Sequence, residues 1–279
     1  MAEKAVILLT GCSSGIGRAS ALALAARGHR VFATARKEDD LAGLERDGLT
    51  ALALDVTDPA TIAAAVGAVL SRANRLDVLV NNAGYPQYGS VEEVTLAQWR
   101  AQFDVNVFGT LAVTQAVLPA MRKQQSGRII NVSSVAGKLG IPFAAPYCAS
   151  KHALEALSDA LRVEVSPFGI RVVLVEPGPV ETRFGDRARA GVAALLSRPG
   201  PYQELYKLAE RAMNVDFQRG NLPAEAVARV IVQASESASP RTRYPVGIMA
   251  RAYIALRRAL PDRWLDAQMR RTLRMPNPP

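Results

Sequence analysis

Short aliphatic segments alternate along this chain with longer stretches rich in alanine and leucine. The short segments have the composition of strands and lie at Ala5–Thr10, Arg30–Ala35, Ala51–Leu54, Leu76–Val80, Arg128–Val132 and Ile170–Val175, with a further short run at Tyr244–Met249. The longer stretches predict helices at Gly15–Arg27, Asp39–Asp47, Pro59–Ala73, Leu96–Arg122 (broken near Phe108–Gly109) and Tyr147–Ser166. This alternation favours a mostly parallel sheet with helices on both of its faces.

The strands are apolar at nearly every position, as strands buried on both sides usually are. We therefore predict an α/β fold with a doubly wound, mostly parallel, seven-stranded sheet. A chain of 279 residues, 49% of them hydrophobic, can form this sheet as one domain over residues 1–279. Ligands of such sheets bind beyond the carboxyl ends of the strands, so the residues that follow each strand are the candidate site.

The pattern changes after Thr182. Residues 183–220 predict a helical insertion or lid, not a separate domain, and Pro223–Ser237 is helix-like. Residues 250–279 form a C-terminal extension, in which Ala250–Arg274 is helical and rich in arginine and Pro276–Pro279 is expected to fray.

Charge and composition limit the partners, the location and the kinds of site that this protein can have. The net charge of +9 is compatible with nucleic acid, an anionic membrane surface or a phosphorylated cofactor. No apolar run approaches the roughly 18 residues of a membrane-spanning helix, and the N-terminus lacks the pattern of a secretion signal. Two cysteines and two histidines give no basis for a disulfide framework, a metal site or a histidine-dependent triad. We expect a cytoplasmic protein without a metal.

A glycine-rich turn follows the first predicted strand. It reads Thr10-Gly11-Cys12-Ser13-Ser14-Gly15-Ile16-Gly17 and leads directly into a predicted helix. Glycines let the backbone turn tightly and approach a ligand, while the amides and dipole at the start of the helix attract a pyrophosphate. The position between strand and helix predicts a dinucleotide site.

This turn resembles the cofactor turn of the short-chain dehydrogenase/reductase family. Other segments typical of the family occur in the expected order: Asp55-Val56, Asn81-Asn82-Ala83-Gly84, Asn106, Ser133-Ser134, Tyr147-Cys148-Ala149-Ser150-Lys151 and Pro177-Gly178-Pro179-Val180-Glu181-Thr182. The similarity covers roughly residues 5–182, with a weaker echo near Tyr244–Gly247. It implies a Rossmann fold, closest in character to the steroid and retinol dehydrogenase branch.

The resemblance also implies which residues bind the nicotinamide cofactor. With the glycine turn, the set is Gly11, Ser13, Ser14, Gly15, Ile16, Gly17, Arg36, Lys37, Asp55, Val56, Asn82, Ala83, Gly84, Tyr147, Lys151, Pro177, Gly178, Val180 and Thr182. Asn81 is expected beside them, because it also follows the fourth strand.

The end of the second strand bears on the choice of cofactor. An acidic residue there would bind the adenosine ribose and repel a phosphate, but this chain has Arg36 and Lys37. A guanidinium group pairs well with a 2′-phosphate, so NADP(H) is preferred. The alternative is that both are surface charges and that Asp39 or Asp40 reaches the ribose, in which case NAD(H) is possible.

Tyr147 and Lys151 stand four residues apart on a predicted helix, which places their side chains on the same face. A phenol has a pKa near 10, and a neighbouring ammonium favours its ionised form. Tyr147 is therefore the candidate general acid and base for interconverting an alcohol with a ketone or aldehyde. Ser134 would hold the reacting oxygen, with Ser133 as the alternative, and the resemblance adds Asn106 as the fourth catalytic residue.

The substrate is predicted to be a small, lipophilic carbonyl or alcohol, such as a steroid, a retinoid or a ketoacyl compound. This follows from apolar residues in the loops after the strands and in the insertion, namely Tyr85, Tyr88, Leu139, Ile141, Phe143, Phe184, Leu195, Leu196 and Tyr202. An NAD(H)-dependent dehydrogenase of the same fold, or an inactive cofactor-binding module associated with a membrane or nucleic acid, remains an alternative.

The arginine-rich tail leaves two interpretations open. Its apolar residues (Tyr253, Ile254, Leu256, Leu260, Trp264, Leu265 and Met269) could lie on a membrane surface or dock on the domain itself, and we favour docking. No nucleic-acid partner is expected, because no reader motif accompanies the charge. The resemblance implies a homodimer or homotetramer, paired through the helices that contain Asn106 and Tyr147.

Overall fold

The computed structural model describes residues 4–197 and 199–275. The strands are β1 (Val6–Leu9), β2 (Arg30–Ala35), β3 (Thr50–Ala53), β4 (Val78–Asn81), β5 (Gly127–Val132), β6 (Ile170–Pro177), β7 (Val180–Glu181), β8 (Leu222–Pro223) and β9 (Arg243–Val246). The α-helices are α1 (Gly15–Ala26), α2 (Glu38–Arg46), α3 (Pro59–Ala73), α4 (Leu96–Phe103), α5 (Thr110–Gln124), α6 (Ala145–Glu164), α7 (Arg183–Leu196), α8 (Gln203–Gly220), α9 (Ala224–Glu236), α10 (Ile248–Ala259) and α11 (Asp262–Leu273).

Seven strands form one parallel sheet in the order β3-β2-β1-β4-β5-β6-β9. The order reverses direction between β1 and β4, which is the point where doubly wound sheets bind ligands. The predicted α/β fold is confirmed, and each predicted strand lies within a few residues of its observed position.

Both faces of the sheet are buried, which explains why the strands show no polar alternation. Ile7 and Leu9 of β1 pack into the core on one face, whereas Val6 and Leu8 pack into the core on the other. Helices α1 and α9 cover the first face, and α3, α5 and α6 contribute to the second. Because the strands are packed on both faces, the residues at their carboxyl ends are held in fixed positions.

Two helical predictions need correction. The break predicted near Phe108–Gly109 is a π-helical turn, Asp104–Gly109, which joins α4 to α5 without interrupting the helix. The C-terminal extension is two helices separated by Leu260, the C-cap residue of α10, and Pro261, the N-cap residue of α11.

The last strand of the sheet is also shorter than predicted. It ends at Val246, because Gly247 adopts a left-handed φ of 94° and Ile248 begins α10. The predicted insertion consists of the packed helices α7 and α8, bounded by the short β7–β8 ladder. Within residues 4–197 and 199–275, none of the helices has the length and apolarity needed to cross a bilayer.

Candidate active site

The carboxyl ends of the parallel strands open into one cavity of about 1700 Å³. The lining includes the whole predicted cofactor set from Gly11 to Thr182, and also Ser133 and Ser134, but not Asn81. Chain segments that are distant in sequence therefore meet at one place, as the strand ends of a parallel sheet predict. Among the described residues, no group of three or more histidine, cysteine, aspartate or glutamate side chains could hold a metal ion.

The glycine turn is shaped for close approach of a ligand. Gly11 and Gly15 have left-handed φ angles of 73° and 55°, which favour glycine. A Cβ atom at Gly17 would lie 2.2 Å from the carbonyl oxygen of Gly11, so no side chain fits there. Among the residues the structure describes, the Ser14 side chain makes no capping hydrogen bond to the start of α1. The first-turn amides of α1 are thus suited to a pyrophosphate, and the turn fits the predicted dinucleotide.

Asn82 stabilises this turn from the end of β4. Its side-chain amide donates hydrogen bonds of 3.0 Å to the carbonyl oxygens of both Thr10 and Gly11. Asn81 instead points into the protein, where its amide donates to Thr114 and Asn131. The expectation that Asn81 lies beside the cofactor is therefore wrong, because successive residues of a strand face opposite sides of the sheet.

Arg36 and Lys37 lie at the far end of the cavity, where β2 ends. The Arg36 guanidinium is 3.6 Å from a carboxylate oxygen of Asp55. Burial raises the pKa of Asp55, but hydrogen bonds from Thr57 and the charge of Arg36 outweigh it, and the pKa lies below its usual value. Asp39 and Asp40 line the same end, so charges of both signs are available there.

Ser134 and Tyr147 meet at the wall of the cavity. Ser134 follows β5, and Tyr147 lies in the first turn of α6. The two side-chain hydroxyls share a hydrogen bond, and the Ser134 oxygen also accepts one of 3.1 Å from the Ala136 amide. Two hydroxyls held together at a cavity wall can bind one oxygen atom of a ligand.

In the protein without its cofactor, the pKa of Tyr147 differs from the expectation. The sequence predicts that Lys151 lowers the phenol pKa, but burial raises it, despite the hydrogen bond with Ser134. The Lys151 ammonium lies 5.9 Å from the centre of the Tyr147 ring. At this distance its field does not offset the loss of solvent around the phenol.

Lys151 is itself buried, with 5% of its surface exposed. Its ammonium donates a 2.8 Å hydrogen bond to the carbonyl oxygen of Val132, the last residue of β5. Burial lowers the lysine pKa to about 8, although the charge of Glu155 acts in the opposite direction. Lys151 thus carries its charge near neutral pH but loses it more easily than an exposed lysine.

Asn106 lies behind the cavity wall. It is 1% exposed within the π-helical turn, and its amide donates to the Tyr85 carbonyl and to the Ser150 hydroxyl. The side-chain carbonyl oxygen of Asn106 accepts a hydrogen bond from the Tyr85 backbone amide. Of the four predicted catalytic residues, Asn106 alone is not part of the lining, so it contacts the site through Tyr85 and Ser150.

Apolar residues line the other end of the cavity. The predicted residues Tyr85, Tyr88, Leu139, Ile141 and Phe143 are among them, whereas Leu195, Leu196 and Tyr202 are not among the described lining residues. The side chain of Phe184 lies outside the described part of the chain.

The C-terminal helices complete this apolar wall. Lining residues from α10, α11 and the bend between them include Tyr253, Leu256, Leu260, Trp264, Leu265 and Met269. Ile254 is buried against the domain. The tail therefore docks on its own domain, as favoured from the sequence. The sequence shows the helical periodicity of the tail. It does not show where the tail packs, so the contribution of the tail to the cavity could not be predicted.

Residues 5–193 match the family model described as short chain dehydrogenase. The uncharacterized oxidoreductase YbbO of Escherichia coli is 39% identical over 93% of this chain and 92% of that protein. The NADPH-dependent 3-dehydrocapnine reductase of Ornithobacterium rhinotracheale is 35% identical over 93% and 94% of the two chains.

Solved structures give the same result. A short-chain dehydrogenase from Streptomyces avermitilis is 35% identical, with a TM-score of 0.79 over 96% of this chain and 98% of that one. One from Burkholderia cenocepacia, in complex with NADP, is 27% identical, with a TM-score of 0.75 over 96% and 98%. One from Burkholderia phymatum, in complex with NAD, is 28% identical, with a TM-score of 0.79 over 95% of each chain. Similar proteins thus bind either cofactor.

Proposed function

Because the chain belongs to the short-chain dehydrogenase/reductase family, we propose that it is an NADP(H)-dependent oxidoreductase that interconverts an alcohol with a ketone or aldehyde. The observation that carries this proposal is the hydrogen-bonded pair of Ser134 and Tyr147 hydroxyls. The pair lies in the same cavity as the glycine turn. A proton-transfer group and a dinucleotide site thus share one cavity.

The chain's own residues supply the proton chemistry. When bound, the nicotinamide ring donates or accepts a hydride. Ser134 and Tyr147 hold the substrate oxygen between their hydroxyls. Tyr147 donates its proton to that oxygen during carbonyl reduction and takes it back during alcohol oxidation. The buried Lys151 places a positive charge behind the phenol, which stabilises the negative charge that develops there.

The preference for NADP(H) rests on Arg36 and Lys37. Both lie at the end of the cavity that adjoins β2, where a 2′-phosphate would meet two cations. Asp39 and Asp40 are the groups that would support NAD(H) instead. The Arg36 guanidinium is a planar, permanently charged donor, so we assign the phosphate to it.

We propose that the substrate is lipophilic. The end of the cavity beyond Tyr147 is lined by aromatic and aliphatic side chains from the loops, from α8 and from the C-terminal helices α10 and α11. Residues 183–220 act as a lid over this end, and Val192 and Tyr206 line it. Such a wall suits an apolar ring system or a long alkyl chain.

The remaining proposals concern organisation. We treat residues 1–279 as one catalytic domain, with a homodimer or homotetramer formed through α4, α5 and α6. Phe108 and Val163 support this assembly, because they are 56% and 69% exposed on these helical segments. Both cysteines are buried and free, which suits the cytoplasm. A peripheral membrane contact through the tail is less favoured, since its apolar residues line the cavity.

The direct test is oxidation of NADPH or NADH by the purified protein in the presence of steroid, retinoid, ketoacyl and small aromatic carbonyl compounds. The proposal predicts turnover with at least one lipophilic carbonyl and a higher kcat/KM for NADPH than for NADH. Absence of turnover with every class, together with measurable cofactor binding, would identify an inactive cofactor-binding protein.

A further inference from the structure

A cluster of charged side chains lies behind the candidate active site and outside its cavity. It consists of Lys138, Glu155, Glu176 and Arg243, none of which is among the described lining residues. Glu155 is 5% exposed and Glu176 is 1% exposed. Even paired carboxylates lose hydration free energy when they are buried, and their ion pairs often do not repay it, so the fold retains this cluster at an energetic cost.

The cluster joins four segments of the chain. Lys138 follows the 3₁₀ turn Val135–Gly137, and its ammonium lies 2.5 Å from Glu155 of α6 and 3.5 Å from Glu176 of β6. Arg243 of β9 lies 3.2 Å from Glu155 and 3.4 Å from Glu176. Arg243 also binds Asp159 at 2.7 Å, and Asp159 pairs with Arg162.

The pair of Lys138 and Glu155 bridges the two halves of the site. Ser134 belongs to the same turn as Lys138, whereas Tyr147 and Lys151 belong to the same helix as Glu155. Glu155 is four residues after Lys151, on the same face of α6. The turn and the helix must keep a fixed separation for the Ser134 and Tyr147 hydroxyls to meet.

Packing at Gly137 shows how closely the turn approaches the helix. A Cβ atom there would lie 2.9 Å from Ser133 Oγ, 3.0 Å from Glu155 Cγ and 3.1 Å from the Lys151 carbonyl oxygen. The backbone of the turn therefore rests directly on α6. The Lys138 ammonium then binds Glu155 immediately beyond this contact.

We propose that Lys138 and Glu155 are positioning residues, whose ion pair clamps the turn carrying Ser134 onto the helix carrying Tyr147. The catalytic part of this inference rests on the proposed function, whereas the clamp itself does not. The charges that face the pair are Lys151 and Asp159 from α6, Glu176 from β6 and Arg243 from β9. Lys138 and Arg243 are the cations that contact the two glutamates, so loss of Lys138 leaves Glu155 and Glu176 in contact with one guanidinium.

The test compares Lys138→Met, Lys138→Arg and the charge-balanced double variant Lys138→Met/Glu155→Gln. Arg75→Met is the matched control, since it removes a 2.8 Å ion pair with Asp77 at the amino end of β4, outside the described lining of the cavity. Four quantities are measured for each variant: amide hydrogen exchange of residues 133–139, kcat and KM for carbonyl reduction, and Tm. Binding of NADPH is measured alongside them.

The clamp predicts faster exchange in the turn of Lys138→Met and a kcat about 10- to 100-fold lower, with NADPH binding unchanged. Lys138→Arg should restore both exchange and kcat. The double variant should regain Tm but not kcat, because it balances the charge without restoring the bridge. If Lys138→Met does not fold, the double variant replaces it.

Two results would overturn the inference. One is exchange and kcat in Lys138→Met equal to those of Arg75→Met. The other is a double variant in which kcat returns together with Tm, since the pair would then serve only to balance charge. If the wild-type protein turns over no carbonyl, the proposed function fails, and hydrogen exchange of the turn alone decides the clamp.

Discussion

The Lys151 ammonium donates a 2.8 Å hydrogen bond to the carbonyl oxygen of Val132. Val132 ends β5, and Ser133 and Ser134 follow it directly. One strand end therefore holds the lysine and presents the serine. The end of β5 therefore fixes the positions of Lys151 and Ser134 relative to each other.

Activity should depend on the charge of Lys151. Its pKa is lowered to about 8 by burial, so the ammonium is present below that pH and is lost as the pH rises through it. The Tyr147 pKa is raised, so the phenol keeps its proton over this range. We predict that kcat/KM for carbonyl reduction falls above about pH 8. The residual activity of Lys151→Met should lack this decline, and an identical pH profile in that variant would assign the decline to another group.

Arg36→Ala should weaken selection for NADPH. Loss of a charge-assisted hydrogen bond to a phosphate costs about 1.5–3 kcal/mol, which corresponds to a roughly 10- to 100-fold rise in KM for NADPH. The KM for NADH should change little, because NADH lacks that phosphate. Steady-state kinetics with both cofactors measure this difference, and equal effects on the two would place Arg36 away from the phosphate.

Gly17→Ala should abolish cofactor binding, since its new methyl group would lie 2.2 Å from the Gly11 carbonyl oxygen and displace the turn. Gly67→Ala is the matched control, because nothing described lies within 4 Å of the added methyl group on α3. The control should raise the free energy of unfolding by about 0.5–1 kcal/mol, as alanine favours helices. Fluorescence titration with NADPH and chemical denaturation test the pair.

Met269→Asp should impair lipophilic substrates selectively. The change puts a carboxylate into the apolar wall, so KM for a long-chain ketone should rise about tenfold or more, while KM for NADPH stays constant. Arg270→Asp, at the next and exposed position, is the control and should leave both values unchanged. Equal effects of the two variants would show that Met269 does not contact the substrate.

The position of the C-terminal helices also predicts how the protein behaves with membranes. Apolar residues of α10 and α11, Met269 among them, line the cavity, whereas Leu256 and Trp264 are 42% and 60% exposed. We predict that the intact protein stays in the supernatant when it is centrifuged with anionic vesicles. If the wild-type protein sediments with the vesicles and the Met269→Asp variant does not, the tail is an interfacial helix and the prediction fails.

Local patterns were sufficient to predict much of this molecule. The glycine turn, the four-residue spacing of Tyr147 and Lys151 and the apolar strands each express a constraint within a few residues. The strands were found because burial on both faces leaves continuous apolar runs. The end of β9 was misplaced by three residues, since Gly247 and the start of α10 interrupt an apolar segment that could equally continue as a strand.

Contacts between distant segments could not be predicted in this way. The ion pairs of Lys138 and Arg243 with Glu155 and Glu176 depend on how four segments pack, and no spacing in the sequence encodes them. The raised pKa of Tyr147 depends on burial by surrounding residues. The use of the tail as a cavity wall required knowing where α11 lies relative to α8.

The most direct measurement is the turnover of Tyr147→Phe with NADPH and the best carbonyl substrate of the wild-type protein. The variant keeps the ring but has no proton to give, so kcat should fall at least about 100-fold while the Kd for NADPH changes less than about threefold. A Tyr147→Phe protein that reduces the carbonyl at the wild-type rate would contradict the account.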